Sequence, residues 1–134
     1  MGAVAQLIVH HTASPAGTRV ETVHDSHLGR GWPGIAYHFY IEEAGTVTWC
    51  GALETVRGHT DHTPTNRGSI GVCLAGDFTS SPPGVAQLVG LRRLIAWLET
   101  KLGLRLWVRP HRAVTATACP GGGWFDKMIA ELPS

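Results

Sequence analysis

The feature that most constrains the fold is one long amphipathic segment that follows a series of short apolar ones. Between residues 80 and 102, leucine and isoleucine recur every three or four positions, which is the spacing of one helix face. Ser80-Ser-Pro-Pro83 predicts the start of this helix, because serine caps helices and proline fits the first turn. Gly103 predicts its end, because glycine readily adopts the left-handed backbone that closes a helix. The sequence therefore predicts a helix from about Ser80 to Leu102 with one apolar face to bury.

The short apolar segments around this helix have the length and composition of buried strands. They cover residues 5–10, 35–42, 46–50, 69–74 and 106–108, and residues 43–45 predict a hairpin turn. Further helices are predicted over Arg19–Leu28 and in a last segment with Trp124, Phe125, Met128, Ile129 and Leu132 facing inward. Strands alternate with helices and the hairpin adds an antiparallel pair, so we expect an α/β fold with a single mixed β-sheet flanked by helices. No internal linker is visible, and residues 1–134 are expected to form one domain.

Composition excludes several function classes. Eleven basic and ten acidic residues leave a net charge of +1, which predicts no binding to nucleic acid. No apolar run approaches the ~20 residues of a membrane helix, so membrane insertion is not expected. Three cysteines are too few for a disulfide-stabilised scaffold. No export signal is visible, and the cellular location of the protein stays open. Eight histidines are the unusual count, and they indicate a functional site.

Three of the chemically versatile residues fall at strand ends or in loops. His10 ends the first strand, His111 follows Pro110, and Cys119 lies in a polar turn before proline and glycine. Two imidazoles and one thiolate are the protein ligands of a catalytic zinc with an open fourth position. Sulfur combined with nitrogen favours zinc over magnesium or calcium. A purely structural role for His111 and Cys119 is the alternative, and their eight-residue spacing does not decide between the two.

The other histidines are weaker candidates. His11 neighbours a candidate ligand in a strand, so it points to the opposite face. His24 and His27 share a helix face without a carboxylate beside them, which favours a packed or exposed role. His59-Thr-Asp-His62 resembles half of the HxHxDH signature of metallo-β-lactamase-type hydrolases, but Arg57 occupies the position of the preceding ligand. A substrate-facing loop is therefore predicted for this segment.

Four segments resemble a known family in the family's own order. They are LIVHHTAS (7–14), HLGRGWPGIAYHFYI (27–41), NRGSIGVCLAGDF (66–78) and RPHRAVTATACPG (109–121). They resemble the type 2 N-acetylmuramoyl-L-alanine amidases, which include amidase-type phage lysozymes and the peptidoglycan-recognition proteins. The resemblance implies a zinc cleft on one side of the sheet. It also implies hydrolysis of the amide between the lactyl group of N-acetylmuramic acid and L-alanine in bacterial peptidoglycan. We expect a monomer that acts on the cell wall as a phage endolysin does.

The resemblance also implies roles for individual residues. Matched position by position, one zinc ion would be held by His10, His111 and Cys119. Tyr37 matches the family's catalytic tyrosine, expected to hydrogen-bond the oxyanion or to orient the attacking water. Thr117 stands where some phage enzymes have lysine and catalytic recognition proteins have threonine, and it is expected to add a weaker hydroxyl contact.

Two further matters stay open at the level of sequence. Cys73 occupies the position of a glutamate proposed as the base in recycling relatives, so the proton donor to the leaving amine is not identified. Substrate contacts are expected at His59, Asn66 and Trp32, with Arg67 and Arg112 as further candidates, and Trp32 either stacks on a sugar or packs.

Rival functions are a non-catalytic peptidoglycan-binding module and a zinc hydrolase acting on another amide. The presence of Cys119 favours catalysis over binding alone, because some recognition proteins lose this ligand and bind without cutting. The sequence does not indicate which stem peptide is recognised.

Overall fold

The structure, a computed structural model, describes residues 6–51, 53, 57–60, 66, 69–114 and 117–130. Within these ranges, five strands form one sheet in the spatial order β3-β2-β4-β1-β5. The strands are β1 (Gln6–His11), β2 (Phe39–Ile41), β3 (Val47–Trp49), β4 (Ser69–Leu74) and β5 (Trp107–Pro110). The β2–β3 pair is antiparallel, whereas β1 runs parallel to both β4 and β5, and β2 runs parallel to β4. The predicted mixed sheet with a hairpin is confirmed.

Two of the α-helices lie in connections between strands, and the third follows the last strand. They are α1 (Val20–Gly29), α2 (Val85–Leu102) and α3 (Trp124–Ala130), and a short 3₁₀ helix spans His111–Ala113. None of the described helices is long and apolar enough to cross a membrane. Ala5, predicted in the first strand, and Leu132, predicted in the last helix, lie outside the described residues.

Alternation along the central strands separates the core from the site. Leu7 and Val9 of β1 and Ile70 and Val72 of β4 join one buried apolar cluster, which also contains Leu91 of α2. Because successive strand side chains point to opposite faces, the residues between them face the other side of the sheet. On that second face a smaller cluster forms around Val23, Ile35, Tyr40, Cys73 and Ala75. The helices α2 and α3 therefore close one face, and α1 partly covers the other.

The long helix begins later than the sequence predicts. It starts at Val85, with Gly84 as its N-cap and no side-chain capping hydrogen bond. The prediction of a serine cap within Ser80–Pro83 is wrong, because helical backbone is disfavoured for a residue that precedes proline, as Ser81 and Pro82 do. The predicted end is confirmed, since Gly103 adopts the left-handed conformation at φ 69°.

The second strand is shorter than predicted. The backbone N–H of Ile35 donates to Nδ1 of His24 at 3.2 Å, and that of Ala36 donates to Nδ1 of His27 at 3.0 Å. Because side chains of α1 accept these two N–H groups, residues 35 and 36 do not pair as a regular strand, and β2 begins only at Phe39. The prediction of one strand over 35–42 is wrong for this reason. His24 and His27 serve as packed helix residues, as the sequence predicts.

Candidate metal centre and active site

The candidate ligands meet at one edge of the sheet. His10 lies near the end of β1, and His111 follows β5 directly. Because β1 and β5 are parallel neighbours, their carboxyl ends lie side by side. Cys119 lies in the turn that follows the 3₁₀ helix. The ligand atoms of His10, His111 and Cys119 lie within 4.8 Å of one another, and the two imidazole ring centroids are 4.4 Å apart.

The donor set and its burial suit a bound cation. His10 is 1% exposed and Cys119 is 9% exposed, whereas His111 is half-buried. In the part of the chain that the structure describes, no other group of three histidine, cysteine or carboxylate side chains is close enough to hold a metal ion. Two nitrogen donors and one sulfur donor match the ligand chemistry of zinc, with room in a tetrahedral shell for a fourth, non-protein ligand.

Burial keeps the first candidate ligand neutral. It lowers the pKa of His10 well below the ordinary histidine value, and the nearby His59, His111 and His11 lower it further. A neutral imidazole keeps the lone pair that a metal requires. His10 is therefore ready to coordinate at neutral pH without first losing a proton.

Backbone hydrogen bonds hold Cys119 in place. The N–H of His11 donates to Cys119 Sγ at 3.2 Å, and the N–H of Arg112 donates to the Cys119 carbonyl at 2.8 Å. Burial raises the pKa of the Cys119 thiol to about 11, and the His11 hydrogen bond and the Arg112 charge oppose this only in part. Without a cation the thiol is thus protonated at neutral pH, and a bound metal ion would replace that proton.

His59 lies against the first candidate ligand. Its Nδ1 is 2.9 Å from Nε2 of His10, and its Nε2 is 3.0 Å from Oγ of Ser69. Burial, followed by the nearby His38 and His111, lowers the pKa of His59 to about 3. His59 is 5% exposed and neutral at pH 7. The prediction that it contacts substrate stays a prediction, and its ring faces His10.

Tyr37 borders the same group of ligands. Its ring centroid is 5.1 Å from that of His10, and its side chain is hydrogen-bonded to Cys73. Burial raises the Tyr37 pKa well above its ordinary value, and the neighbouring Cys73 and Cys119 raise it further. The phenol therefore keeps its proton at neutral pH and acts as a hydrogen-bond donor.

Two other predicted site residues make bonds within their own loops. The N–H of Cys119 donates to Oγ1 of Thr117 at 3.2 Å, so this exposed hydroxyl braces the candidate sulfur ligand. The Asn66 carboxamide is buried, and its Oδ1 accepts from the N–H and the hydroxyl of Thr60 at 2.9 and 2.7 Å. Asn66 Nδ2 donates to the Thr60 carbonyl at 3.0 Å. Asn66 thus clamps the residue that follows His59.

Trp32 lies on the approach to the site. It is 39% exposed, its ring is 4.7 Å from that of His27, and the Arg30 guanidinium lies over it at 5.2 Å. A cleft of about 460 Å³ is lined by Trp32, Pro33, Gly34, Ile35, Ala36, Arg57 and Gly58. Ala36 adjoins Tyr37 and Gly58 adjoins His59 in the chain, so the cleft is lined by neighbours of the two residues whose rings border His10. Arg67, Asp61 and His62 lie outside the described residues.

Sequence reasoning missed the contribution of β4. Ser69 bonds His59, and Gly71 makes room for it, because a Cβ at residue 71 would lie 2.5 Å from His59 Cγ. The available signal was the alternation of small residues with apolar ones in the strand, which places Ser69, Gly71 and Cys73 on the face opposite the main core.

The amino-acid sequence matches a known protein family over most of its length. The family model described as N-acetylmuramoyl-L-alanine amidase matches residues 1–122, which is most of the chain. The chain belongs to this amidase family. The match covers every candidate ligand together with Tyr37, and it confirms the resemblance drawn from the four segments. The domain is thus a peptidoglycan amidase by family.

Individual relatives agree with this assignment. The endolysin of Klebsiella phage KP32 is 30% identical over 133 residues, covering 92% of this chain and 86% of the endolysin. The pig N-acetylmuramoyl-L-alanine amidase is 29% identical over 139 residues, and the chain spans 22% of that longer enzyme. The solved structure of the Clostridium intestinale endolysin LysCS matches with a TM-score of 0.86 at 27% identity, covering 96% of this chain and 83% of that one. The predicted α/β amidase fold is confirmed by this likeness.

Proposed function

We propose that this domain is a zinc-dependent hydrolase that cleaves the amide between the lactyl group of N-acetylmuramic acid and L-alanine in bacterial peptidoglycan. The observation that carries the proposal is the meeting of His10, His111 and Cys119 within 4.8 Å at one sheet edge, beside a protonated tyrosine. The family and the endolysin relatives support peptidoglycan as the substrate.

The three side chains would hold a single zinc ion. When bound, zinc supplies a Lewis acid that lowers the pKa of a water to about 7 and polarises the amide carbonyl. His10 needs no deprotonation, since burial has already lowered its pKa. Cys119 must release its proton, and the hydrogen bond from His11 to its sulfur favours the resulting thiolate. Two neutral imidazoles and one thiolate leave the occupied site with a charge of about +1.

Tyr37 supplies a donor to the reacting carbonyl. As water attacks, negative charge develops on the carbonyl oxygen, and a protonated phenol stabilises it by a hydrogen bond. One preorganised donor of this kind is worth about 3–4 kcal/mol, or about 10²–10³ in rate. The half-buried position of Tyr37 beside His10 supports this role, because a hydrogen bond is stronger where water is partly excluded.

The remaining predicted residues have supporting roles in this proposal. Thr117 braces Cys119 by accepting the hydrogen bond from its N–H. Trp32 and the cleft beside it would receive the glycan or the stem peptide, with the indole face available to a sugar ring. We propose that Asn66 acts on the cleft indirectly, through the loop that it clamps.

Digestion of purified peptidoglycan followed by mass spectrometry tests the proposal. We expect stem peptides with a free L-alanine amino group, and glycan strands whose muramic acid carries a free lactyl carboxylate. A chelator should abolish the release, and added zinc should restore it. Cuts within the stem peptide or between sugars would overturn the proposed bond. Binding to peptidoglycan without any cleavage would favour the non-catalytic module instead.

A further inference from the structure

A continuous line of buried hydrogen bonds leads from β4 to the first candidate ligand. Ser69 Oγ is 3.0 Å from His59 Nε2, and His59 Nδ1 is 2.9 Å from His10 Nε2. The three residues are 0%, 5% and 1% exposed, respectively. A buried network of this kind is held in one arrangement, because each member would lose a partner if it turned away.

The direction of these hydrogen bonds follows from the chemistry of a ligating imidazole. A histidine that binds metal through one ring nitrogen carries a proton on the other and usually donates it to an acceptor. Nε2 of His10 is the nitrogen that faces His59, so Nδ1 remains for the metal. His59 then accepts at Nδ1 and donates from its own Nε2 to Ser69.

The surroundings of His59 fix its ring independently of the metal. Gly71 lies directly below it, and any side chain at that position would overlap the ring. On the loop side, Asn66 bonds both the N–H and the carbonyl of Thr60, the residue next to His59. The ring is therefore held from the strand and from its own loop.

We propose that His59, supported by Ser69, is a positioning residue that holds His10 with Nδ1 turned toward the metal. This inference rests on the proposed zinc-dependent function. It assigns His59 a role in metal affinity that is separate from any substrate contact, since both of its ring nitrogens are engaged within the protein. Loss of a partner behind a ligating histidine typically weakens metal binding about 10–100-fold.

Two substitutions at His59 distinguish the effect of a hydrogen-bond acceptor for His10 from the effect of a side chain that only fills the space. His59→Leu fills the site but offers His10 no acceptor, and we expect its zinc dissociation constant to rise about 10–100-fold. His59→Asn can place an amide oxygen near the position of Nδ1, and we expect it to retain most of the wild-type affinity. Ser69→Ala removes the support at the far end and should weaken zinc binding in the same direction, by less.

The measurement is zinc binding to the metal-free protein in competition with a chelating fluorophore. The visible spectrum of the cobalt-substituted protein gives a second readout, which we expect to change in His59→Leu and to persist in His59→Asn. Thermal unfolding of the metal-free variants reports whether they fold. If His59→Leu does not fold, Ser69→Ala provides the test of the proposal. His24→Leu, which removes a histidine outside this line, should leave zinc affinity unchanged.

Each outcome bears on the inference. Weaker binding by His59→Leu with rescue by His59→Asn supports it. Unchanged or tighter binding by both His59→Leu and Ser69→Ala overturns it, because His59 would then be irrelevant to the metal or would compete with it for Nε2 of His10. Failure of the wild-type protein to bind zinc overturns the proposed function as well, so the two failures are distinguishable.

Discussion

The hydroxyl of Tyr37 is hydrogen-bonded to the buried thiol of Cys73. Cys73 lies opposite His10 in the parallel pairing of β1 with β4, so this bond ties the candidate donor to the floor of the site. Burial raises the pKa of Cys73 well above its ordinary value, which leaves a neutral thiol with a weakly accepting sulfur. A weak acceptor orients the phenol but does not hold it strongly. The phenol O–H can then donate to a developing oxyanion instead, because hydrogen bonds to charged acceptors are stronger.

Replacing Tyr37 with phenylalanine should separate chemistry from metal binding. Tyr37→Phe keeps the ring against His10 and removes the donor, so we expect kcat to fall about 10²–10³-fold. Zinc content and thermal stability should stay close to wild type. Turnover of a soluble muropeptide and metal analysis of the same sample provide the two readouts. Normal turnover by this variant would remove Tyr37 from the mechanism.

Replacing Cys119 with alanine should remove the metal. Removal of a residue that only hydrogen-bonds a metal ligand weakens metal binding about 10–100-fold. Loss of the ligating sulfur itself should therefore weaken zinc binding by at least about 100-fold. Elemental analysis after dialysis measures the bound zinc directly. Cys50→Ala is the matched control, because Cys50 is a half-buried cysteine outside the ligand group. Stoichiometric zinc in Cys119→Ala would contradict the assigned ligand set.

Acidification should destabilise the metal-free protein partly through His27. Burial lowers the pKa of His27, and the neighbouring Arg30 and His24 lower it further, while its Nδ1 accepts the N–H of Ala36. The folded state therefore binds fewer protons than the unfolded state below the ordinary histidine value of 6.5. Stability contributed by the neutral ring is present above that pH and is lost as the pH falls.

The matching experiment is urea unfolding of the metal-free protein between about pH 7.5 and pH 4. His27→Asn offers an acceptor to Ala36 without a titrating group, so its free energy of unfolding should fall less steeply with acid. One proton accounts for a slope of at most about 1.4 kcal/mol per pH unit. His10 and His59 titrate in the same direction and remain in the variant. Identical slopes for wild type and variant would show that His27 takes no part.

A methyl group at residue 71 should disturb both stability and metal binding. Gly71→Ala would place a Cβ 2.5 Å from His59 Cγ within a fully buried strand. Overpacking of this kind costs about 1–3 kcal/mol. Gly123→Ala is the control, because nothing lies within 4 Å of a Cβ built there. Urea unfolding and zinc competition measure the two effects, and a variant with wild-type values in both would show that His59 has room to move.

The candidate site was predictable in its residue types and only partly in its contacts. His10, His111 and Cys119 were recognisable as candidate ligands because their side chains have the chemistry that zinc prefers and because they fall at strand ends or in a turn. The roles of Ser69 and Gly71 were not, because a serine and a glycine in a strand carry no signal of their own. They matter through His59, which reaches them from a loop about ten positions earlier in the chain.

The sequence by itself determined the strands, the long helix with its glycine end, and a donor set suited to zinc, because periodicity and side-chain chemistry are local properties. Tertiary structure alone decided where β2 begins, since the backbone N–H groups of residues 35 and 36 pair with side chains of α1. It also decided that His59 lies behind His10. Contacts between segments that are distant in the chain depend on the order of the strands in the sheet. That order cannot be predicted from the local sequence of any one segment.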